Sequence, residues 1–288
     1  RCSRDWSSDV CSSDLGASSD WNDEGAGASK PGDWLGPYHL LGLVGEGGSS
    51  TVYLAEQEKP VRRWVALKVL KAGMDTQRII ARFELERQAL AVMDHPGIAK
   101  VLDAGATPSG RPFFVMELVR GLAITRHCDE HRLSIPQRLE LFIQVCQAVL
   151  HAHQKGIVHR DIKPENILVS LHDGRAFPKV IDFGIAKVLH AWTEEKTPIT
   201  GGMPFLGTPA YMSPEQARMT MPDLDTRTDI YSLGALLHEL LVSHPPFDHH
   251  TLMAAGLDEM CRIIRFQEPG GPLLRFEQLP LPEQSLIA

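Results

Sequence analysis

The sequence predicts an α+β chain of two lobes, a small sheet-rich one followed by a larger, mainly helical one. Three observations predict it. Between residues 38 and 118, apolar side chains alternate in short runs punctuated by glycine and proline, the period-two signature of strands. One segment in that region, 75–93, instead places Ile79, Phe83, Glu86 and Leu90 on a single helical stripe. After Gly121 helical spacing takes over.

Residues 38–44 and 51–56 read as two strands joined by a glycine-rich turn, and 61–70 as a third. Side chains alternate across a strand, so Ala66 and Lys68 fall on one face. Two more strands follow at 100–107 and 111–118, turned by Pro108-Ser109-Gly110. The small lobe, 38–117, is thus expected to hold five antiparallel strands and one helix. In the larger lobe, 118–269, Ser134 and Gln137 form a capping-box pattern. Leu139, Phe142, Cys146, Val149 and His153 continue as the inward stripe, and Gly156 is placed to stop the helix. Asp173-Gly174 marks a hairpin between 167–170 and 179–181. A strongly apolar helix is expected over 229–242, and 270–288 reads as an irregular Pro-, Gly- and Leu-rich tail.

The richest stretch is His159-Arg160-Asp161-Ile162-Lys163-Pro164-Glu165-Asn166, with Asp182-Phe183-Gly184 sixteen residues beyond Asn166. Its side chains suit metal-assisted phosphoryl transfer, which needs positioning and charge neutralisation more than covalent chemistry. Asp161 can accept a proton from a hydroxyl, Lys163 can neutralise a moving phosphoryl group, and Asn166 and Asp182 offer hard oxygen ligands. Gly45-Glu46-Gly47-Gly48-Ser49-Ser50 lies between two strands, where glycines let backbone amides approach phosphates. By itself such a run is an ordinary turn. Val65-Ala66-Leu67-Lys68 is by itself a strand with a snorkelling lysine. Glu86, on the apolar stripe of its helix, needs a partner, because an unpaired buried carboxylate is costly.

Together these motifs make residues 38–269 resemble the eukaryotic-like serine/threonine protein kinases of bacteria. The resemblance implies a two-lobed kinase fold with an incomplete helical lobe, and ATP with Mg²⁺, or alternatively Mn²⁺, as its cofactors. Nucleotide would be held by Val44, Gly45, Glu46, Gly47, Gly48, Ser49, Ser50 and Val52, by Ala66 and Lys68, and by Met116, Glu117 and Val119 at the hinge. It further implies a Lys68–Glu86 ion pair, Asp161 as base, Lys163 and Asn166 beside it, and Asn166 and Asp182 as metal ligands. His159 and Phe183 would pack in a column with Leu90 and Val101, and Asp229 would anchor the catalytic loop backbone. Ser50 stands where the family has a third glycine, and Ser213-Pro214-Glu215 where it has Ala-Pro-Glu.

Arg160 beside Asp161 implies regulation by a docked negative group, with Thr193, Thr197 and Thr200 as phosphorylation candidates. Gly207-Thr208-Pro209 resembles a substrate-docking turn in which the Thr208 hydroxyl would contact Asp161 and Lys163. Glu215 normally pairs with a buried arginine near the end of the domain, and Arg275 comes too early to replace it. The chain therefore reads as a piece of a longer kinase.

Composition narrows the alternatives. At 288 residues, 43% hydrophobic and 23% charged, the chain suits one large core or two lobes. Residues 1–37 carry three basic and seven acidic groups, so they hold −4 of the −7 net charge. They are read as a leader too poor in apolar surface to fold, whose first 15 residues resemble translated sequencing adapter. No basic field points to nucleic acid, and no run of 18 apolar residues points to a membrane span. Five scattered cysteines suit buried thiols in a reducing cytosol. A cytoplasmic domain is expected, with a membrane tether elsewhere in the parent protein compatible with it. The partner expected is a protein carrying a serine or threonine acceptor; the sequence leaves oligomeric state open. The competing readings are a nucleotide-binding scaffold without turnover and a small-molecule phosphotransferase, the latter disfavoured by the Thr208 and Glu215 motifs.

Overall fold

The computed structural model describes residues 29–47, 50–71, 93–183, 208–218 and 225–278. The expected helix over 75–93, with Glu86 and Leu90, lies almost wholly outside the described residues. So do Gly48, Ser49 and the three candidate loop threonines.

The first lobe is an antiparallel sheet of strands β1 (Trp34–Leu35), β2 (Tyr38–Glu46), β3 (Ser50–Gln57), β4 (Arg63–Leu70), β5 (Val101–Ala106) and β6 (Pro112–Glu117). Their spatial order is β1-β2-β3-β4-β6-β5. The five strands read from the sequence are present, and β1 adds a sixth. It lies inside the segment assigned to the leader. Leu35 is buried, Trp34 and Leu35 pair with His39 and Tyr38, and the Tyr53 hydroxyl donates to the Ser29 carbonyl at 2.6 Å. Two residues are too short a run for a periodicity argument to detect.

The expected alternation is plain in β4. Val65, Leu67 and Val69 turn into the sheet's own core with Leu40, Ala55 and Val115. Ala66, Lys68 and Leu70 take the opposite face, where Leu70 and Phe114 join the core of the second lobe. One hydrophobic cluster therefore crosses the boundary between lobes, and Lys68 sits on the side facing that boundary.

The second lobe contains β7 (Leu122–Ala123), β8 (Ile167–His172) and β9 (Arg175–Val180) in a small sheet, with helices α1 (Ile124–Glu130), α2 (Ile135–Gln154) and α3 (Thr226–Val242) beneath it. Three shorter helices follow, α4 (His249–Ala254), α5 (Leu257–Phe266) and α6 (Pro272–Gln278). The last corrects the expectation of an irregular tail over its own residues, Pro272–Gln278; residues 279–288 lie outside the described ones. Proline costs nothing at the first turn of a helix, so Pro272 starts α6 rather than preventing it.

Helix α2 begins as expected, with the Ser134 N–H donating to the Gln137 side-chain oxygen at 2.9 Å. It ends at Gly156, whose φ of 74° permits a Schellman turn: Gly156 N–H bonds to His153 O and Ile157 N–H to Ala152 O. The buried stripe, however, is rotated from the expected one. Leu141, Val145, Ala148, Val149 and Ala152 are buried, whereas Phe142 and Cys146 only flank the core, and Leu139 and His153 are half-buried. Arg138 causes the ambiguity. It is almost fully buried, so an inward position carries the most polar side chain of the helix.

Asp173 and Gly174, at φ 50° and 75°, close the expected hairpin between β8 and β9. Gly121 allows the approach of the hinge segment to β8: a Cβ there would lie 2.4 Å from the Val169 carbonyl oxygen.

Candidate active site

The site is assembled from segments far apart in sequence. β4 delivers Lys68, the turn after α2 delivers Asp161, a short 3-10 helix (Pro164–Asn166) positions Asn166, and β9 runs into Asp182. They form two contacting pairs, Lys68 with Asp182 and Asn166 with Asp161, and the Ile181 N–H beside Asp182 bonds to the Asn166 carbonyl at 2.8 Å.

Asp229, fully buried in α3, fixes the loop carrying Asp161. Its carboxylate accepts the backbone N–H groups of His159 at 2.8 Å and Arg160 at 2.7 Å, and bonds the His153 ring at 2.7 Å. Three partners supply what a buried carboxylate requires. Arg160 has a φ of 65°, a strained conformation for a side-chain-bearing residue. It is held from both ends, because Gln216 also donates its side-chain amide to the Arg160 carbonyl at 2.9 Å. Asp229 therefore anchors the loop as expected. The His153 and Gln216 contacts were not legible, since no local pattern marks partners 76 and 56 residues away.

Asn166 donates its amide nitrogen to the Asp161 carbonyl at 2.8 Å and to the Asp161 carboxylate at 3.1 Å. With Nδ2 engaged in this way, Oδ1 of Asn166 is the atom left to serve as a ligand. Lys163 Nζ stands 3.8 Å from the Asp161 carboxylate. Lys68, 7% exposed in its side chain, is ion-paired with Asp182, whose φ of 58° is a second strained position. Lys68 thus has a carboxylate partner within the described residues, while Glu86, the partner expected from the sequence, lies outside them. The ring of His159 lies tilted at 47° against Phe183 with centroids 4.6 Å apart and bonds the Ile181 carbonyl at 3.0 Å, which ties the Asp161 loop to the Asp182 segment. Val101 packs against the same core.

Around this centre, Ala66 pairs with Met116 and Val65 with Glu117, so the β4 and hinge residues form one wall. Val119 is half-buried just beyond it. Gly45 pairs with Val52 and Glu46 with Thr51, Gly47 N–H bonds to the Ser50 carbonyl, and Glu46 is ion-paired with Lys71 at 2.8 Å. The exposed Val44 side chain and half-buried Val52 flank that turn. Thr208 lines a cleft together with Asp161, Lys163, Tyr211 and Gln216. Glu215 accepts from the Thr228 hydroxyl at 2.9 Å.

A buried pair missed by sequence reading supports this floor. The Tyr211 hydroxyl donates to Glu239, and Ser232 donates to the Tyr211 carbonyl at 2.9 Å. Burial, with Glu165 and Asp129 adding negative charge nearby, pushes Glu239 up to about 7. Burial and the Glu239 carboxylate push the Tyr211 hydroxyl upward as well.

The Asn166 side-chain oxygen and the Asp182 carboxylate, the latter paired with Lys68, are hard oxygen donors of the kind a divalent cation such as Mg²⁺ takes alongside phosphate oxygens and water. The residues present fit a nucleotide–metal group. The sequence from Tyr38 onward matches the protein kinase domain family over residues 38–283. The chain belongs to the protein kinase family. This kinase chain is 41% identical over 222 residues to the DNA damage-responsive serine/threonine-protein kinase RqkA of Deinococcus radiodurans, covering 75% of the chain and 31% of that protein. It is 40% identical over 215 residues to the serine/threonine-protein kinase PknB of Mycolicibacterium smegmatis, covering 73% and 33%. It thus spans about a third of the length of these curated relatives. The PknI kinase domain of Mycobacterium tuberculosis, crystallised as a double mutant, superposes with a TM-score of 0.63 at 25% identity, covering 90% of this chain and 89% of that one. Among the described residues of this kinase, no helix is long and apolar enough to cross a membrane.

Proposed function

We propose that this chain is the catalytic part of a bacterial serine/threonine protein kinase, transferring the γ-phosphate of ATP to serine or threonine hydroxyls of a protein substrate in signalling. The observation that supports this reading is the pairing of Lys68 with Asp182 and of Asn166 with Asp161, with Lys163 3.8 Å from the Asp161 carboxylate. In this reading Asp161 accepts the proton of the attacking hydroxyl, and its amide neighbour Asn166 keeps the carboxylate aimed. Lys163 offsets negative charge on the group in transit. Asn166 and Asp182 hold Mg²⁺ or Mn²⁺, which when bound neutralises the phosphate charge. Lys68 exchanges its contact with Asp182 for phosphate oxygens while staying close to both.

Glycine-rich β2–β3, Ala66, Met116, Glu117 and Val119 hold the nucleotide. Thr208 and the Pro209–Tyr211 turn, buttressed by Glu239, form the platform for a peptide rather than a small-molecule acceptor. The domain works in the cytoplasm, a placement compatible with a membrane-tethered parent protein. Glu86 pairs with Lys68 in the active state, and phosphorylation between Ile185 and Gly207 recruits Arg160.

The deciding experiment is incorporation of γ-phosphate into a general protein acceptor by the wild type and by Asp161→Asn. A positioned base contributes about 10²–10⁴-fold, so the variant is expected to lose at least about 100-fold in rate while retaining nucleotide. Equal rates in the two proteins would remove Asp161 from its role. Nucleotide binding with no transfer by either would favour a scaffold.

A further inference from the structure

Glu117, placed above on the nucleotide wall by its position in the hinge, turns its side chain into a cluster of charged groups that the transfer step does not use. Lys179 of β9 is ion-paired with Glu117 at the end of β6, and both are largely or partly shielded, at 15% and 35% side-chain exposure. The other carboxylate oxygen of Glu117 accepts the Lys100 N–H at 3.3 Å, and the Glu117 N–H donates to the Lys100 carbonyl at 2.8 Å. Lys100 itself holds Asp94 at 2.8 Å. The segment between them is fastened to β9: Ala99 N–H bonds to the Val180 carbonyl at 2.9 Å, and Val180 N–H to Gly97 at 2.8 Å.

The connectivity of this cluster is its informative property. Glu117 is two residues from Val119 on the nucleotide wall, and Lys179 is three residues before Asp182. One ion pair therefore joins the strand that would seat the base to the strand that would seat the metal ligand, across 62 residues of sequence. We infer that Glu117 and Lys179 form a positioning brace, which holds the hinge in register with Asp182 so that a nucleotide docked at one end presents its phosphates at the other. Neither side chain needs to touch the reacting atoms. The inference rests on the kinase reading for its kinetic consequence, but the brace also acts on bare nucleotide binding.

The test compares wild type, Glu117→Gln, Lys179→Met, the double variant and Lys179→Arg. It measures kcat, KM for ATP, and affinity for a fluorescent ADP analogue with Mg²⁺. Residues in contact couple by amounts that correspond to about 2- to 150-fold, and a partly exposed pair sits at the low end, so each single variant should raise KM and weaken ADP by about 3–10-fold, with kcat changed less than about twofold. The double variant should be no worse than the worse single, and Lys179→Arg should recover most of the loss. Additive losses in the double variant, or a lowered unfolding midpoint with KM and ADP affinity unmoved, would overturn the brace. A wild type that binds ADP but transfers no phosphate would sink the functional reading, while the ADP measurements would still decide the brace.

Discussion

Among the described carboxyl groups, Glu239 is the one that folding pushes furthest upward. Its ordinary carboxyl value of 4.5 rises to about 7 in the fold because burial penalises the charge. A raised carboxyl binds its proton more tightly in the native state, so its contribution is fully present below about 4.5 and disappears as pH rises through about 7. The wild type is therefore expected to lose a few degrees of melting temperature across that window. Glu239→Gln, neutral throughout and still able to accept from Tyr211, should flatten that part of the profile. Thermal melts of both proteins at several pH values check it, and parallel curves would contradict it. At this scale the sequence was legible where chemistry is local: Asp161, Lys163 and Asn166 are close in the chain and meet in the fold. It was silent on Tyr211 and Glu239, because a tyrosine in a turn and a glutamate in a helix are common residues until tertiary contact buries them together.

Among the elements, α2 shows both the reach and the failure of pattern reading. Its two ends follow from Ser134, Gln137 and Gly156, which act on their own nearest backbone. Its buried face could not be read correctly because Arg138 occupies it. That guanidinium donates to the Leu133 carbonyl at 3.0 Å, the Leu240 carbonyl at 3.3 Å and Asp129 at 2.8 Å, so it joins the start of α2 to α1 and the last turn of α3. The Leu240 carbonyl lies in that last turn, where α3 has no intrahelical donor for it. Arg138→Met keeps the bulk but strands the buried Leu240 carbonyl, at about 1–3 kcal/mol, and the part-buried Leu133 carbonyl, at somewhat less. The expected result is a fall in unfolding free energy of about 2–5 kcal/mol, measured by denaturant titration with the slope unchanged. A change within experimental error would show that water satisfies those carbonyls.

For the molecule as a whole, the active cleft exists because one hydrophobic cluster is shared by the lobes. Leu70, Met93, Ile98 and Phe114 from the sheet side pack with Val145, Ile162, Val180 and Phe183 from the helical side. A ligand that bridges the lobes should stabilise both through this shared core. At a hundred times its dissociation constant a ligand adds about 2.7 kcal/mol, which for a chain of this size is several degrees of melting temperature. Mg²⁺ with a non-hydrolysable ATP analogue is expected to produce that shift in the wild type. Asp182→Asn should lose more than half of the Mg²⁺-dependent part, and Lys68→Met should weaken the nucleotide-dependent part. Scanning calorimetry with and without metal separates the two. A full shift in Asp182→Asn would move the metal elsewhere.

Legible from residue order alone were features set by neighbours along the chain: strand alternation in β4, the hairpin at Asp173-Gly174, the ends of α2, and the order of base, lysine, amide and carboxylate from Asp161 to Asp182. Short-range sterics and hydrogen bonds decide these, and they act before distant segments meet. Packing between distant segments was needed to bring Trp34 and Leu35 onto the sheet, to bury Arg138, to set Lys68 against Asp182 and to carry Lys179 to Glu117. Each of these depends on desolvating a group against a partner remote in sequence, and the energy of that contact is absent until the lobes have packed.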